Sequence, residues 1–212
     1  MDIPNLKDLI LRPRATFEEL VPNLNWKRGL GAWFLFSGLG LVLYLLFSRA
    51  LKISYIPLNF GFGSGFVSVK TMAISFSYFF ISFIILTVLC HFGAKIFNRG
   101  GSFHGTLGLF GYANILTPLK SCVNVVMMIT HTYLVKQSAI SLLMEGTIKS
   151  SGFVTLFYVE VIVTILFGLW FVWLQSAALS ITHKIQRWKG IIIVLMLNAL
   201  ATFGMVWIVR LL

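Results

Sequence analysis

The stretch NRGGSFHGTLGLFGYANILTPLK, residues 98–120, decides the fold because it closes one long apolar run with a glycine-rich turn and opens the next. Glycine and proline are the strongest local interruptions of regular structure, and this stretch holds five glycines and one proline. It also carries Lys120 inside apolar sequence, where a charged side chain is expensive to bury. The turn, the helix after it and this lysine are therefore the first candidates for a functional region.

Composition places the whole chain in a membrane. Hydrophobic residues make up 58% of its 212 residues and charged residues 11%, with a mean hydropathy of +0.91, whereas a soluble domain has about 25% charged residues. We therefore predict an integral membrane protein that forms one bundle without a separate soluble domain. The net charge of +11 is dispersed between the apolar runs. This dispersal argues against nucleic acid as a partner and favours the lipid bilayer and its anionic headgroups.

Five apolar runs are each long enough to cross a bilayer, which takes roughly 20 helical residues. They cover about residues 29–50, 71–95, 104–130, 153–181 and 190–211. The predicted fold is all-α, a polytopic five-transmembrane-helix bundle over residues 28–212. The predicted connections are a loop at 52–70, a tight turn at 98–103, a polar loop at 131–152 and a short basic turn at 182–189.

Residues 1–27 form an amphipathic segment ahead of the first span. Its apolar residues recur every three or four positions with charged residues between them, which is typical of a surface helix. Pro13 is expected to divide the segment, and the spacing of Thr16 and Glu19 predicts a capping box for a second short helix. Two placements stay open, either in the headgroup plane or packed on the cytosolic ends of the bundle.

The distribution of lysine and arginine predicts the orientation. Ten of these residues fall on the side of the N-terminus and six on the other side, with Lys120 inside a span. Because basic residues are enriched in cytoplasmic loops, we expect a cytoplasmic N-terminus and an extracytoplasmic C-terminus.

Lys120 and Glu160 are the two ionisable residues that lie clearly within predicted spans. At a helical rise of about 1.5 Å per residue their depths differ by roughly one turn, which a lysine side chain can cover. We predict that they form an intramembrane polar pair between the third and fourth spans. A structural ion pair, a polar relay or wet substrate pocket, and a side chain that extends to the interface all remain open.

Pro118, Tyr112 and Asn114 mark a predicted helix break in the third span. Pro118 removes an intrahelical hydrogen bond and frees carbonyl groups near Asn114. A plain kink and a transporter-like binding site both fit such a break. Gly101, Gly105 and Gly108 are spaced by four and three residues, so they are predicted to share a helix face that packs within the bundle or between subunits.

No catalytic residue, metal site or cofactor is predicted. The sequence lacks HExxH and GxSxG motifs, and its four histidines, His91, His104, His131 and His183, are scattered along the chain. His91 and His104 are expected near one membrane face as interfacial side chains. Cys90 and Cys122 lie within apolar runs and are expected to be small buried residues.

Three motifs resemble the Yip domain family of five-span membrane proteins, some of which bind Ypt/Rab GTPases in eukaryotes. They are ILRPRATFEEL at 10–20, HFGAKIFNRGGSF at 91–103, and the Gly111-Tyr112 pair followed by Pro118. The resemblance covers nearly the whole chain and is to the prokaryotic type. It implies the fold, a cytosolic N-terminus and a role in membrane organisation or trafficking, without implying a catalytic residue. GTPase binding is not carried over, because the DLYGP signature of eukaryotic members is missing.

The sequence thus favours a non-enzymatic membrane scaffold or partner-binding protein in a bacterial or archaeal cytoplasmic (inner) membrane. Its expected partners are anionic lipid headgroups and a second copy of the chain or another membrane protein. A small transporter or channel component that uses Pro118, Lys120 and Glu160 is the alternative. A membrane-embedded enzyme ranks third.

Overall fold

The computed structural model describes residues 6–23, 25–50, 69–98, 100–145 and 151–211, and within these residues the regular structure is all helical. The helices are α1 (Leu6–Leu11), α2 (Pro13–Leu20), α3 (Trp26–Ala50), α4 (Val69–Phe97), α5 (Phe103–Ala113), α6 (Leu116–Glu145), α7 (Ser151–His183) and α8 (Arg187–Leu211). A short 3-10 turn, Val21–Asn23, follows α2. Most of the predicted loop at 52–70 lies outside the described residues.

Three stretches are long and apolar enough to cross a membrane, namely Phe76–Phe97, Phe103–His131 and Val154–His183. The chain is therefore an all-helical integral membrane protein with three candidate spans among its described residues. The predicted first and fifth spans fall on α3 and α8, which have 25 residues each. Five spans stay a prediction.

The chain divides into two compact units. The first unit comprises Met1–Phe36, Val67–Ile115 and Trp170–Leu212, and the second comprises Ser37–Phe66 and Leu116–Leu169. In the first unit, α4 packs against α5 and α8. Its aromatic core is Trp33 of α3 against Phe80 and Phe83 of α4, with ring centroids 5.3 and 5.1 Å apart. Edge-on and stacked aromatic pairs at these distances are favourable beyond the area they bury.

Within the first unit, glycines bring α3 and α5 into backbone contact. A Cβ added at Gly29 would meet the backbone of Gly108, and one added at Gly111 would meet the backbone of Gly29. Helices approach this closely only where small residues face each other. In the second unit Gly40 of α3 has a similar role against α6, because a Cβ there would lie 2.9 Å from Ser121 Oγ.

The N-terminal segment has two helices separated at Pro13, but the predicted capping box is wrong. α2 begins at Pro13, with Arg12 as its N-cap residue and no side-chain cap. The fixed φ of proline suits the first helical position, where its missing N–H is not needed. Thr16 therefore lies inside the helix, and its hydroxyl donates to the Arg12 carbonyl at 3.1 Å.

α6 continues to Glu145, so the predicted polar loop at 131–152 is wrong over most of its length. Between 132 and 145 the sequence TYLVKQSAISLLME contains neither glycine nor proline. Leucine, lysine, glutamine, alanine, methionine and glutamate all have good helix propensity. Local propensity thus extends the helix beyond the point where the hydrophobic pattern ends.

Candidate functional site

A buried polar cluster in the first unit joins three helices. It consists of His91 on α4, Thr106 on α5 and His183 at the end of α7, all of them buried. His91 Nδ1 lies 3.1 Å from His183 Nε2, and Thr106 Oγ1 lies 3.1 Å from the same nitrogen. Buried polar groups of this kind are stable only when each finds a partner.

The hydrogen bonds assign a tautomer to each ring of the cluster. His183 Nδ1 is 2.9 Å from the Gly100 carbonyl, which can only accept, so the His183 proton is on Nδ1 and its Nε2 accepts. The Thr106 hydroxyl has an acceptor in the Ser102 carbonyl at 3.2 Å. His91 Nδ1 is then the donor to His183 Nε2. Both rings are neutral in this arrangement, and a proton added at His183 Nε2 would remove the acceptor.

His183 is contacted by three residues of the glycine turn at 98–102, namely Asn98, Gly100 and Gly101. Asn98 Nδ2 donates to the His183 carbonyl at 2.6 Å, and the Gly100 amide donates to Asn98 Oδ1 at 3.0 Å. Gly101 has a φ of +99°, and a Cβ on it would lie 2.6 Å from His183 Nδ1. Only glycine meets both conditions without strain. The turn that decides the fold is therefore held by the end of α7.

The end of α7 is capped by backbone hydrogen bonds around Lys184. Lys184 has a φ of +52°, the Ile185 amide donates to the Ser180 carbonyl and the Lys184 amide to that of Ile181. These two bonds form a Schellman motif, in which the left-handed residue is usually glycine. His183 is thus fixed from both sides, by this cap and by the glycine turn.

The geometry of the cluster suits a structural connection between α4, α5 and α7. Its rings and hydroxyl group find their partners inside the protein, and the surrounding turn is bonded to the backbone of α7. No group of three or more His, Cys, Asp or Glu side chains is placed to hold a metal ion in the part of the chain that the structure describes.

The first two helices are also fixed to the first unit. Leu9 of α1 and Phe17 of α2 are completely buried, and Pro13 and Thr16 between them are buried too. On the opposite side Arg14 and Glu18 are exposed and form an ion pair at 2.9 Å. The apolar stripe therefore packs on protein, and the charged stripe faces outward.

The N-terminal helices, the glycine turn and the helix after it are the parts that carried the family resemblance. The sequence matches the Yip1 domain over residues 7–208. The chain belongs to the Yip1 domain family. Members of this family are generally non-enzymatic membrane trafficking proteins. Comparisons with curated proteins and with solved structures returned no match.

The Yip1 domain match begins at residue 7, within α1, and so includes both amphipathic helices as well as the candidate spans. The burial of Leu9 and Phe17 agrees with these bounds, because both side chains are part of the core of the domain.

Lys120 and Glu160 both belong to the second unit, on α6 and α7. Lys120 is exposed and Glu160 half-buried, and both lie inside candidate spans. Their predicted pairing stays a prediction.

The structure has a helix break close to Pro118, Tyr112 and Asn114. α5 ends at Ala113, and α6 begins at Leu116 with Pro118 in its first turn, where a missing N–H is tolerated. Tyr112 and Asn114 are buried. The Asn114 side chain donates to the Phe110 carbonyl at 2.9 Å, so one carbonyl freed at the break is satisfied by the chain itself.

The three predicted packing glycines do not share one helix face in this Yip1 domain. Gly101 precedes α5 and supports the turn, because its φ is positive. A Cβ on Gly105 would meet the Thr182 side chain at 2.9 Å. Gly108 contacts α3 at Gly29, together with Gly111, which the spacing argument left out.

Two expectations for single side chains need correction. His91 is buried rather than interfacial, whereas His104 is exposed, with its ring centroid 5.9 Å from that of Trp26. The partner of His91 is His183, which the predicted topology already placed at the cytosolic end of its span. Cys90 is buried as expected, but Cys122 is exposed on α6.

Proposed function

We propose that this chain is a non-enzymatic, five-span scaffold for membrane organisation or trafficking, and that its N-terminal helices recruit a protein partner at the cytosolic face. The membrane in question is a bacterial or archaeal cytoplasmic membrane. The N-terminus is cytoplasmic and the C-terminus extracytoplasmic.

The observation that carries this proposal is the fixed position of α1 and α2. Leu9 and Phe17 are fully buried, while Arg14, Glu18 and Glu19 on the other stripe are exposed. A recruiting surface gains affinity when it is ordered before binding, because less entropy is lost on association. The outward stripe of α2, defined by these three exposed residues, has that property.

Three further observations support the proposal. The His91–Thr106–His183 cluster ties α4, α5 and α7 together in the first unit, the unit that also contains the N-terminal helices. α3 and α8 have 25 residues each, enough at about 1.5 Å per residue to complete five spans. The excess of lysine and arginine on the N-terminal side favours the cytoplasmic orientation.

Site-specific photo-crosslinking in native membranes tests recruitment. A photoreactive phenylalanine analogue at Glu19 is expected to capture one or a few recurring proteins, because this position lies on the outward stripe. The same analogue at Phe17 is the matched control, since this position is fully buried and should react only within the chain. A Glu19 adduct that contains lipid alone, or a protein pattern identical to that from Phe17, would contradict the proposal.

A transporter or channel component is the second candidate function. It is favoured by the two ionisable side chains, Lys120 and Glu160, inside candidate spans of the second unit. Intramembrane charge often marks a pathway for ions or substrates. This function predicts water access to both residues, whereas the scaffold predicts a pair closed to water.

A further inference from the structure

We infer that a cleft between the N-terminal helices and the start of α8 binds a phosphate group that carries net negative charge, from an anionic lipid headgroup or a soluble phosphate ester. This site shares Arg14 and Glu18 with the outward stripe of α2, but it also contains Arg187 and binds a small ligand rather than a protein. The recruitment test at Glu19 and the binding test at Arg187 use different residues, so the two proposals can fail separately.

The cleft has the size of a small-molecule site and an excess of positive charge. Its volume is about 360 Å³, within the range of about 300–1,000 Å³ that such sites usually have. Among the described residues, three guanidinium groups, from Arg12, Arg14 and Arg187, line it against the single carboxylate of Glu18. Guanidinium groups are the side chains best suited to phosphate oxygens, because their donors form a planar fork.

Arg187 has hydrogen-bond donors that lack an acceptor in the described chain. Its Nε and Nη2 are buried and without a hydrogen-bond partner there. The guanidinium lies over the Trp173 ring, with Cζ 3.3 Å from the ring centroid. A cation–π contact uses the face of the group, whereas its N–H bonds point outward in the plane. Because Arg187 lines the cleft, an anion that enters the cleft can accept from it.

No ion pair with a carboxylate is formed by Arg187 in the part of the chain that the structure describes. Burial, and then the positive charge of Arg14, lower the pKa of the Arg187 guanidinium. Glu18, the only carboxylate lining the cleft, already accepts from Arg14 Nε at 2.9 Å. An anion between the arginines would remove their repulsion and satisfy the buried donors together.

The position of Trp173 indicates that the cleft opens at headgroup level. Along α7, large apolar residues such as Ile165, Leu166 and Leu169 are exposed, whereas residues 174–180 are all buried within the protein. Trp173 stands at this change and is 45% exposed. Tryptophan is enriched at membrane–water interfaces. Leu11, also exposed, lines the same cleft and offers apolar surface beside the arginines.

The test uses the full-length protein with two sources of phosphate. The protein is placed in nanodiscs of phosphatidylcholine with or without phosphatidylglycerol. Native mass spectrometry then counts the lipids that stay bound to the protein after it is released from the nanodisc. In an uncharged detergent, calorimetric titration measures binding of inorganic phosphate and glycerol 3-phosphate. The variant is Arg187→Gln, and the matched control is Lys184→Gln, which removes the same charge from an exposed position that does not line the cleft.

We expect Arg187→Gln to weaken binding by about tenfold or more, since a charge-assisted hydrogen bond is lost, and Lys184→Gln to change it by less than about twofold. Loss confined to phosphatidylglycerol identifies a lipid headgroup, and loss confined to the soluble anions identifies a free phosphate. If Arg187→Gln does not fold, Arg14→Gln replaces it, because Arg14 is exposed. Loss for both sources shows that the site recognises the phosphate group itself. Equal effects of the variant and the control, or binding of neither phosphate source, would overturn the inference.

Discussion

At the scale of single residues, the protons of His91 and His183 organise the contact between the glycine turn and the end of α7 in the first unit. His183 donates to the Gly100 carbonyl and accepts at Nε2, so one ring satisfies the turn on one side and a second helix on the other. A side chain with one donor and one acceptor on opposite edges is required there. Few residues other than neutral histidine offer that geometry.

Replacing His183 with leucine removes the partner of the Gly100 carbonyl and leaves His91 Nδ1 with only a long contact of 3.4 Å to Thr106 Oγ1. A lost hydrogen bond in a buried cluster costs about 1–3 kcal/mol, so we expect the free energy of unfolding in detergent to fall by about that amount. The control is His104→Leu, since His104 is exposed and should cost well under half as much. Equal losses would show that the cluster does not hold the helices together.

Gly101→Ala should destabilise the protein, because alanine meets two obstacles at once. The backbone has a φ of +99°, and the new Cβ would lie 2.6 Å from His183 Nδ1. We expect a loss of about 2 kcal/mol or more in the free energy of unfolding. Gly38→Ala is the control, because nothing lies within 4 Å of a Cβ at that helical position, and alanine there should be neutral or slightly stabilising. Thermal unfolding of both variants measures the difference, and equal stability of the two would contradict the prediction.

The glycine turn was predictable from the sequence, but its partner was not. Glycines at 100 and 101 predict a sharp turn on local grounds. The contact with His183 joins residues more than 80 positions apart in the chain, which no local pattern encodes. The predicted topology is the one hint of this contact, because it places the ends of the second and fourth spans on the same side of the membrane.

At the scale of helices, the crossing of α3 and α5 sets the packing of the first unit. Gly29 faces Gly108 and Gly111 with backbones in direct contact. Apolar side chains gain little by leaving lipid for protein, so close van der Waals contact has to supply the association energy. This crossing is therefore a sensitive position in the domain.

Gly111→Ala inserts a methyl group between two backbones that have no flexible side chain to move aside. We expect a loss of about 1–3 kcal/mol or more in the free energy of unfolding, as for overpacked cores. Gly168→Ala on α7 is the control, since a Cβ there meets nothing within 4 Å. Equal stability of the two variants in the same detergent would argue against a tight crossing.

The predicted Lys120–Glu160 pair is tested by charge reversal. Lys120→Glu and Glu160→Lys each place like charges inside the membrane and should cost about 3 kcal/mol or more. The double variant restores opposite charges and is expected to recover a large part of that loss, measured as folded yield and thermal stability. A double variant no better folded than either single one would show that the two residues do not pair.

Helix positions were well predicted where hydrophobicity and local signals agree, and less well where they compete. Pro13 was correctly expected to split the N-terminal segment. The start of α2 was missed, because proline at the first helical position is a stronger signal than the Thr16–Glu19 spacing. The end of α6 was missed because helix propensity, rather than hydropathy, determines how far it extends.

At the scale of the whole molecule, the proposed function depends on which ends of the helices face the cytoplasm. The Yip1 domain match covers α1 to most of α8. Recruitment of a cytosolic partner at the outward stripe of α2 requires α2 to face the cytoplasm. Ten basic residues on that side against six on the other favour this orientation. With the predicted five spans, this orientation places the C-terminus outside.

Cysteine accessibility in intact cells tests sidedness most directly. In a background with Cys90→Ser and Cys122→Ser, single cysteines replace Glu19, Gln186 or Lys149, and a membrane-impermeant maleimide is added before and after lysis. We predict labelling of position 149 in intact cells, and of positions 19 and 186 only after lysis. Labelling of position 19 or 186 in intact cells, or protection of position 149, would contradict the proposed five-span orientation and the cytosolic surface that depends on it.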